Sequence, residues 1–156
     1  GLNASAGGRW KGKKLSEEKT IALAKMLVDK LDIALLLFGG PEERKRNLAI
    51  KKALGEKIID GGTNNSLLDF AGLVGLCDIL VTSDSLAMHM GICFGKKIVS
   101  FYGPTSAAEI DDFSKGIKLV PERECGCFYN DKCTLEPHCT DTIHNEDFLN
   151  AVTELL

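Results

Sequence analysis

Three strand-length segments occupy the middle of the chain: the continuous apolar run "IALLLFGG" at 33–40, then "DILVTS" at 78–83 and "KKIVSFYG" at 96–103. A strand with one wet face would alternate apolar and polar residues, so the unbroken run at 33–40 reads as a strand buried on both faces. Shorter runs at 1–5 ("GLNAS"), 57–60 ("KIID") and 117–120 ("IKLV") supply three more strands. Helix-length segments with their own start signals separate most of them. Ser16 precedes Glu17 and Glu18, Pro41 precedes Glu42 and Glu43, and Ser66 stands three residues before Asp69, the patterns of an N-cap, a first-turn proline and a capping box. Strands alternating with helices mean repeated βαβ units. The expected fold is therefore α/β, a Rossmann-like doubly wound parallel sheet of about six strands.

Within that frame the first helix carries Ile21, Leu23, Ala24, Leu27 and Leu31, and a charged helix runs from Pro41 to about Leu54. "SLAMHMGICFG" is the fourth helix, closed by a glycine, and 145–156 is an amphipathic closing helix with Phe148, Val152 and Leu155 on one face. At 156 residues the whole is expected to be one domain, with a Cys-rich insert at about 122–140. The opening "GLNAS" lacks an initiator Met and reads as the interior of a longer protein. A net charge of −3 argues against a nucleic-acid surface, despite the basic "GRWKGKK". No apolar run reaches the ~20 residues of a membrane span.

In doubly wound sheets ligands bind outside the carboxyl ends of the strands. The polar clusters "NASAGGRWKGKK", "GGPEE", "GGTNNS", "TSDSLAMH" and "YGPTSAAE" all fall at such ends. The start of the fourth helix offers unpaired amides at Ser85, Leu86 and Ala87 and a positive dipole end, which suits phosphate, with Lys13 or Lys14 reaching in from the first loop. Each residue also has a plainer reading: Asp84 as a helix N-cap, His89 as a core histidine, Lys13 as solvated charge, Glu42 and Glu43 as dipole complements. Convergence on one sheet edge favours the ligand reading. GxGxxG and Walker signatures are absent, which weighs against NAD-type and P-loop sites.

Cys77 and Cys93 sit in apolar helical segments and read as small hydrophobes. Cys125, Cys127, Cys133 and Cys139, with His138 beside the last, crowd into "CGCFYNDKCTLEPHC". C-x-C followed by two five-residue gaps departs from the paired CxxC of structural zinc. A metal site, free packed thiols and disulfides all remain open, and crowding at one end favours a reducing cytosol.

Taken together, "NASAGGRWKGKKLSEE", "LLLFGGPEE", "NSLLDFAGLVGLCDILVTSDSLAMH" and "FYGPTSAAEI" resemble glycosyltransferase family 9, the lipopolysaccharide heptosyltransferases, over the whole chain. The resemblance implies the C-terminal, donor-binding half of a two-domain GT-B enzyme. Its donor would be a nucleotide sugar, typically ADP-heptose, and its acceptor a glycolipid of lipopolysaccharide-core type. It further implies that Lys13 neutralises the diphosphate with Ser5 nearby, and that Asp84 meets the sugar. Ser85 and the amides around Leu86 would hold phosphate, and His89 would support the pocket. Glu43, with Glu42 the lesser candidate, would bind the ribose, and Asn65 and Ser66 would line the base. Leu86 departs from the family's usual glycine and narrows the approach to the phosphates. The general base is expected in the missing N-terminal domain, so no catalytic residue is assigned here and the isolated domain is expected to be inactive. No cofactor is required for the inverting transfer. The expected location is the cytoplasm, peripheral at the inner face of a bacterial inner membrane. Two rival readings are a non-catalytic nucleotide-sugar-binding module and an unrelated nucleotide-binding α/β enzyme.

Overall fold

The computed structural model describes residues 1–123 and 125–156; Glu124, within the Cys-rich insert, lies outside them. Six strands form one parallel sheet: β1 (Leu2–Asn3), β2 (Leu36–Leu37), β3 (Ile59–Asp60), β4 (Ile79–Ser83), β5 (Lys97–Phe101) and β6 (Gly116–Leu119). They lie in the order β3-β2-β1-β4-β5-β6, and every neighbouring pair is parallel. The α-helices are α1 (Glu17–Lys30), α2 (Arg44–Leu54), α3 (Leu67–Leu76), α4 (Leu86–Cys93) and α5 (Asn145–Leu155).

Two apolar layers show why the runs carry no alternation. Val81, Val99 and Phe101 point to the face covered by α1, α2 and α5, where they meet Leu23, Leu27, Ile50, Phe148 and Val152. Leu80 and Ile98, one residue out of step, point to the opposite face and meet Val74 of α3 and Ala87 and Met88 of α4. Successive strand side chains face opposite ways, so a strand covered on both faces takes apolar residues at consecutive positions, while the polar Thr82, Ser83 and Ser100 are buried toward the carboxyl ends of β4 and β5. Phe101 and Phe148 pack edge to face at 5.7 Å between ring centroids, fixing α5 against the central strands.

Two expectations change in detail. The 33–40 run is paired as a strand only at Leu36–Leu37, although Ile59 N–H donates to Leu35 O at 2.8 Å and Phe38 N–H to Leu2 O at 3.3 Å. Its partners β1 and β3 are two residues each, and a ladder is no longer than its shortest member. The charged helix begins as a 3-10 turn at Pro41–Glu43 before α2 proper. There the Glu43 carboxylate turns back to accept from Gly40 N–H at 2.9 Å, which tightens the first turn. On the outer side of α3, Leu68 and Leu76 are 83% and 76% exposed.

Candidate functional site

Strand order reverses between β1 and β4, which is where a doubly wound sheet opens a crevice. The loops leaving these two strands are tied together by Ser83 Oγ–H, which donates to Ser5 O at 3.1 Å. Above them lies a crevice of about 440 Å³, the size range of small-ligand sites. It brings together Ser5, Lys13, Glu43, Asn65, Ser66, Asp84, Ser85 and Leu86, residues from four separate strand ends.

Asp84 is its electrostatic centre. Oδ2 accepts from Lys13 Nζ at 2.7 Å and from Thr105 Oγ1 at 2.8 Å, and Lys13 also donates to the Asp84 carbonyl at 3.3 Å. Oδ1 lies 3.6 Å from His89 Nε2. Partial burial pushes the Asp84 carboxyl up, but the Lys13 and Thr105 hydrogen bonds outweigh it and hold the carboxyl below its ordinary value. The carboxylate is therefore ionised throughout the neutral range, able to accept hydrogen bonds and unable to donate one.

The reading of Asp84 as a helix cap does not hold, because α4 has Ser85 as its N-cap residue. The Ser85 hydroxyl makes no cap bond and instead pairs with Thr82 Oγ1 at 3.1 Å. The first amides of α4 are thus left without a side-chain acceptor, and Leu86 and Ala87 line the crevice. Donors without an intrahelical partner at a dipole's positive end form a site for an anion. Leu86 is itself 54% exposed, so its side chain stands at the rim rather than filling the space.

The first loop resolves which lysine faces inward. Lys13 reaches Asp84, Lys14 reaches Glu43 Oε1 at 3.4 Å, and Lys11 is exposed. Ser5 is buried, and its Oγ has no hydrogen-bond partner, leaving a donor inside the crevice unused. Trp10 closes this side, its ring centroid 5.1 Å from Lys13 Nζ, within cation–π range. Glu43 is buried at 4% exposure, whereas Glu42 is exposed and outside the lining. On the far wall Asn65 Nδ2 donates to Gly61 O at 3.0 Å. Ser66 caps α3 by accepting from Asp69 N–H at 3.2 Å, and Leu67 and Phe70 add apolar surface. His89 is no core histidine: its side chain is 56% exposed and touches the site only through Asp84.

Thr105, Trp10 and Phe70 carry no assigned role on the sequence reading. Thr105 belongs to the "GPT" turn after β5, and β5 is the direct neighbour of β4; the only sign of it in the sequence is that this turn falls at a strand end. Cys125, Cys127, Cys133 and Cys139 stand outside the crevice lining, behind the Lys13 loop.

The turn after β5 also fixes that loop from below. A Cβ on Gly103 would lie 2.5 Å from Gly12 O and 2.9 Å from Thr140 Cγ2. The first obstacle is backbone, so no rotamer change can relieve it. Gly103→Ala is expected to cost about 1–3 kcal/mol of stability, the usual penalty of overpacking, and urea denaturation would read it.

A six-stranded doubly wound domain with a bare helix start, a lysine–carboxylate pair and an open polar crevice is of the α/β class that opens a ligand crevice where its strand order reverses. The family model described as Glycosyltransferase family 9 (heptosyltransferase) matches residues 3–138, and the chain belongs to that family. It is 32% identical over 90 residues to lipooligosaccharide heptosyltransferase 2 of Haemophilus influenzae, a match covering 54% of this chain and 25% of that protein. Among solved structures it is similar to a family 9 glycosyl transferase from Veillonella parvula (TM-score 0.79, 24% identity) and to E. coli ADP-heptose lps heptosyltransferase II (TM-score 0.75, 22% identity). In both cases 99% of this chain is covered, against 44% and 45% of theirs, so the chain spans less than half the length of these relatives. The fold is that of one GT-B sheet domain. No helix among the described residues is long and apolar enough to cross a membrane.

Proposed function

We propose that this chain is the donor-binding domain of an inverting glycosyltransferase that moves a heptose from a nucleoside diphosphate sugar, ADP-heptose, to a glycolipid acceptor of lipopolysaccharide-core type. The observation that carries this reading is the Lys13–Asp84 pair facing the bare start of α4 across the β1/β4 crevice. A diphosphate lies between the Lys13 ammonium and the amides of Leu86 and Ala87, with the unpartnered Ser5 hydroxyl as a further donor. Asp84 accepts from sugar hydroxyls, Glu43 accepts from the ribose, and Asn65, Ser66 and Phe70 border the base.

In the transfer an acceptor hydroxyl attacks the anomeric carbon while the bond from that carbon to the diphosphate oxygen breaks. The acceptor proton passes to a base on the partner domain, and the electron pair leaves with the diphosphate. Lys13 and the α4 amides stabilise the charge that grows on the leaving group, where a pre-oriented donor has most effect. With that charge met by protein groups, the step requires no cofactor. The donor is a cytoplasmic metabolite on this reading, and the lipid acceptor is met at the inner face of the membrane.

A thermal-shift series with ADP-heptose, ADP, UDP and NAD tests the assignment. The expected order of stabilisation is ADP-heptose above ADP, both above UDP, and no shift with NAD, with no sugar transfer by the isolated chain. A shift with NAD alone would support an unrelated dinucleotide enzyme. Turnover by the isolated chain would remove the proposed division of labour between two domains.

A further inference from the structure

The two oxygens of the Asp84 carboxylate are used unevenly. Oδ2 accepts from both Lys13 Nζ and Thr105 Oγ1, which fills the two lone pairs of a carboxylate oxygen. Oδ1 accepts no hydrogen bond among the described residues, and His89 Nε2 stands 3.6 Å from it, beyond the usual hydrogen-bond range. A sugar hydroxyl that donates to Asp84 is therefore received at Oδ1, unless a bond to Oδ2 is given up.

Of the two bonds at Oδ2, the one from Lys13 competes with a ligand. A lysine that turns toward a diphosphate slackens its hold on Asp84. The carboxylate then has a second place to go. An aspartate readily accepts from the backbone N–H two residues further on, and two residues on from Asp84 is Leu86, the first residue of α4. The Ser85 hydroxyl is engaged by Thr82 and makes no cap bond there, so that amide is open to a new acceptor. A carboxylate bonded to it would place a negative charge on the helix start where phosphate is to bind.

We propose that Thr105 is a positioning residue for this site, a role that rests on the donor-binding reading: its hydroxyl holds Asp84 off the start of α4 while Lys13 engages the diphosphate. The α4 amides then stay open for phosphate, and Oδ1 stays free for the sugar. Thr105 acts only through Asp84. Unlike the Lys13 bond, the Thr105 bond joins the ends of two paired strands, β4 and β5, and uses no group that a diphosphate needs.

The turn that carries Thr105 is held firmly enough for this. Gly103 and Pro104 are buried, and the proline ring fixes φ at the residue before Thr105. Pro104 O accepts from Tyr129 N–H at 2.6 Å. A Cβ on Gly12 would meet the Pro104 ring at 3.5 Å, so the turn rests against the Lys13 loop. β-Branching restricts χ1 of Thr105 itself, which limits the directions its hydroxyl can take.

Amide NMR of the ligand-free 156-residue chain reads this role without a ligand. In Lys13→Ala, where Thr105 alone holds Asp84, the Leu86 amide should keep a position set by an open helix start. In Lys13→Ala/Thr105→Val it should move downfield as it gains a carboxylate acceptor. Lys13→Ala/Thr105→Ser, which restores the hydroxyl, should reverse the move, and so should adding Asp84→Ala. With Lys13 intact, Thr105→Val should weaken ADP binding about tenfold, the loss of one hydrogen bond to a charged group. Thr105→Ser should bind as the unaltered chain does, and Thr105→Val should cost nothing further in an Asp84→Ala background. An unmoved Leu86 amide in Lys13→Ala/Thr105→Val beside normal ADP binding by the unaltered chain would overturn the role of Thr105 alone. So would an equal loss of ADP affinity with and without Asp84, which would make Thr105 a direct or purely structural contributor. Failure of the unaltered chain to bind ADP would overturn the donor-binding reading and the role of Thr105 with it.

Discussion

Asp84→Ala in a full-length enzyme carrying this domain is expected to lower turnover by about a hundredfold or more. The carboxylate is proposed to act on the donor as its bond breaks, and losing a transition-state contact of a few kcal/mol costs about tenfold per 1.4 kcal/mol. Stability should fall by a comparable or smaller free energy. Asp84 is not the cap of α4, so no cap energy is lost; what is lost is the partner of a half-buried lysine, about 1–3 kcal/mol. Asp84→Asn separates charge from shape. It retains an acceptor oxygen for Thr105, yet removes the negative charge that holds Lys13 at 2.7 Å. Steady-state kinetics beside thermal melts distinguish the two accounts. Near wild-type turnover with a lowered melting point would make Asp84 a purely structural partner of Lys13.

Lys13→Ala is expected to weaken donor binding by about 10- to 100-fold, the equivalent of one charge-assisted hydrogen bond of about 1.5–3 kcal/mol. The loss should be greatest at low ionic strength, where the lysine–diphosphate attraction is least screened. Lys11→Ala and Lys14→Ala serve as comparisons, since Lys11 is exposed and Lys14 is engaged by Glu43. Donor affinity measured at two salt concentrations checks all three. Equal losses in the three variants would mean a diffuse basic loop rather than one directed cation.

The layering of the fold was legible because the pattern that encodes it is local. The unbroken run Leu35–Phe38 reports burial on both faces, and the starts of α1 and α3 carry their own capping serines. The extent of strand pairing was not legible, since the length of β2 depends on partners β1 and β3 far away in sequence. The site divides along the same line. Ser5, Lys13, Glu43, Asn65, Ser66, Asp84, Ser85 and Leu86 could be gathered because each follows a strand, and strand ends share an edge. Thr105 could not be given its role, because the bond to Asp84 requires knowing that β5 lies beside β4. Asp84 was readable as a cap for a similar reason. Only its side-chain direction, toward Lys13 rather than the α4 amides, separates the two roles. Family resemblance supplied the donor chemistry, and the crevice supplies an independent reason for a diphosphate there.

The central claim is that the β1/β4 crevice receives the donor's diphosphate, and titration of the isotope-labelled chain with ADP, followed by amide NMR, tests it most directly. The account predicts saturable shifts concentrated at Ser5, Lys13, Ser85, Leu86 and Ala87 and at the indole of Trp10, with Ile33, Leu76 and Leu156 at the opposite end of the sheet unmoved. Shifts concentrated at that opposite end, or none at saturating ADP, would contradict it.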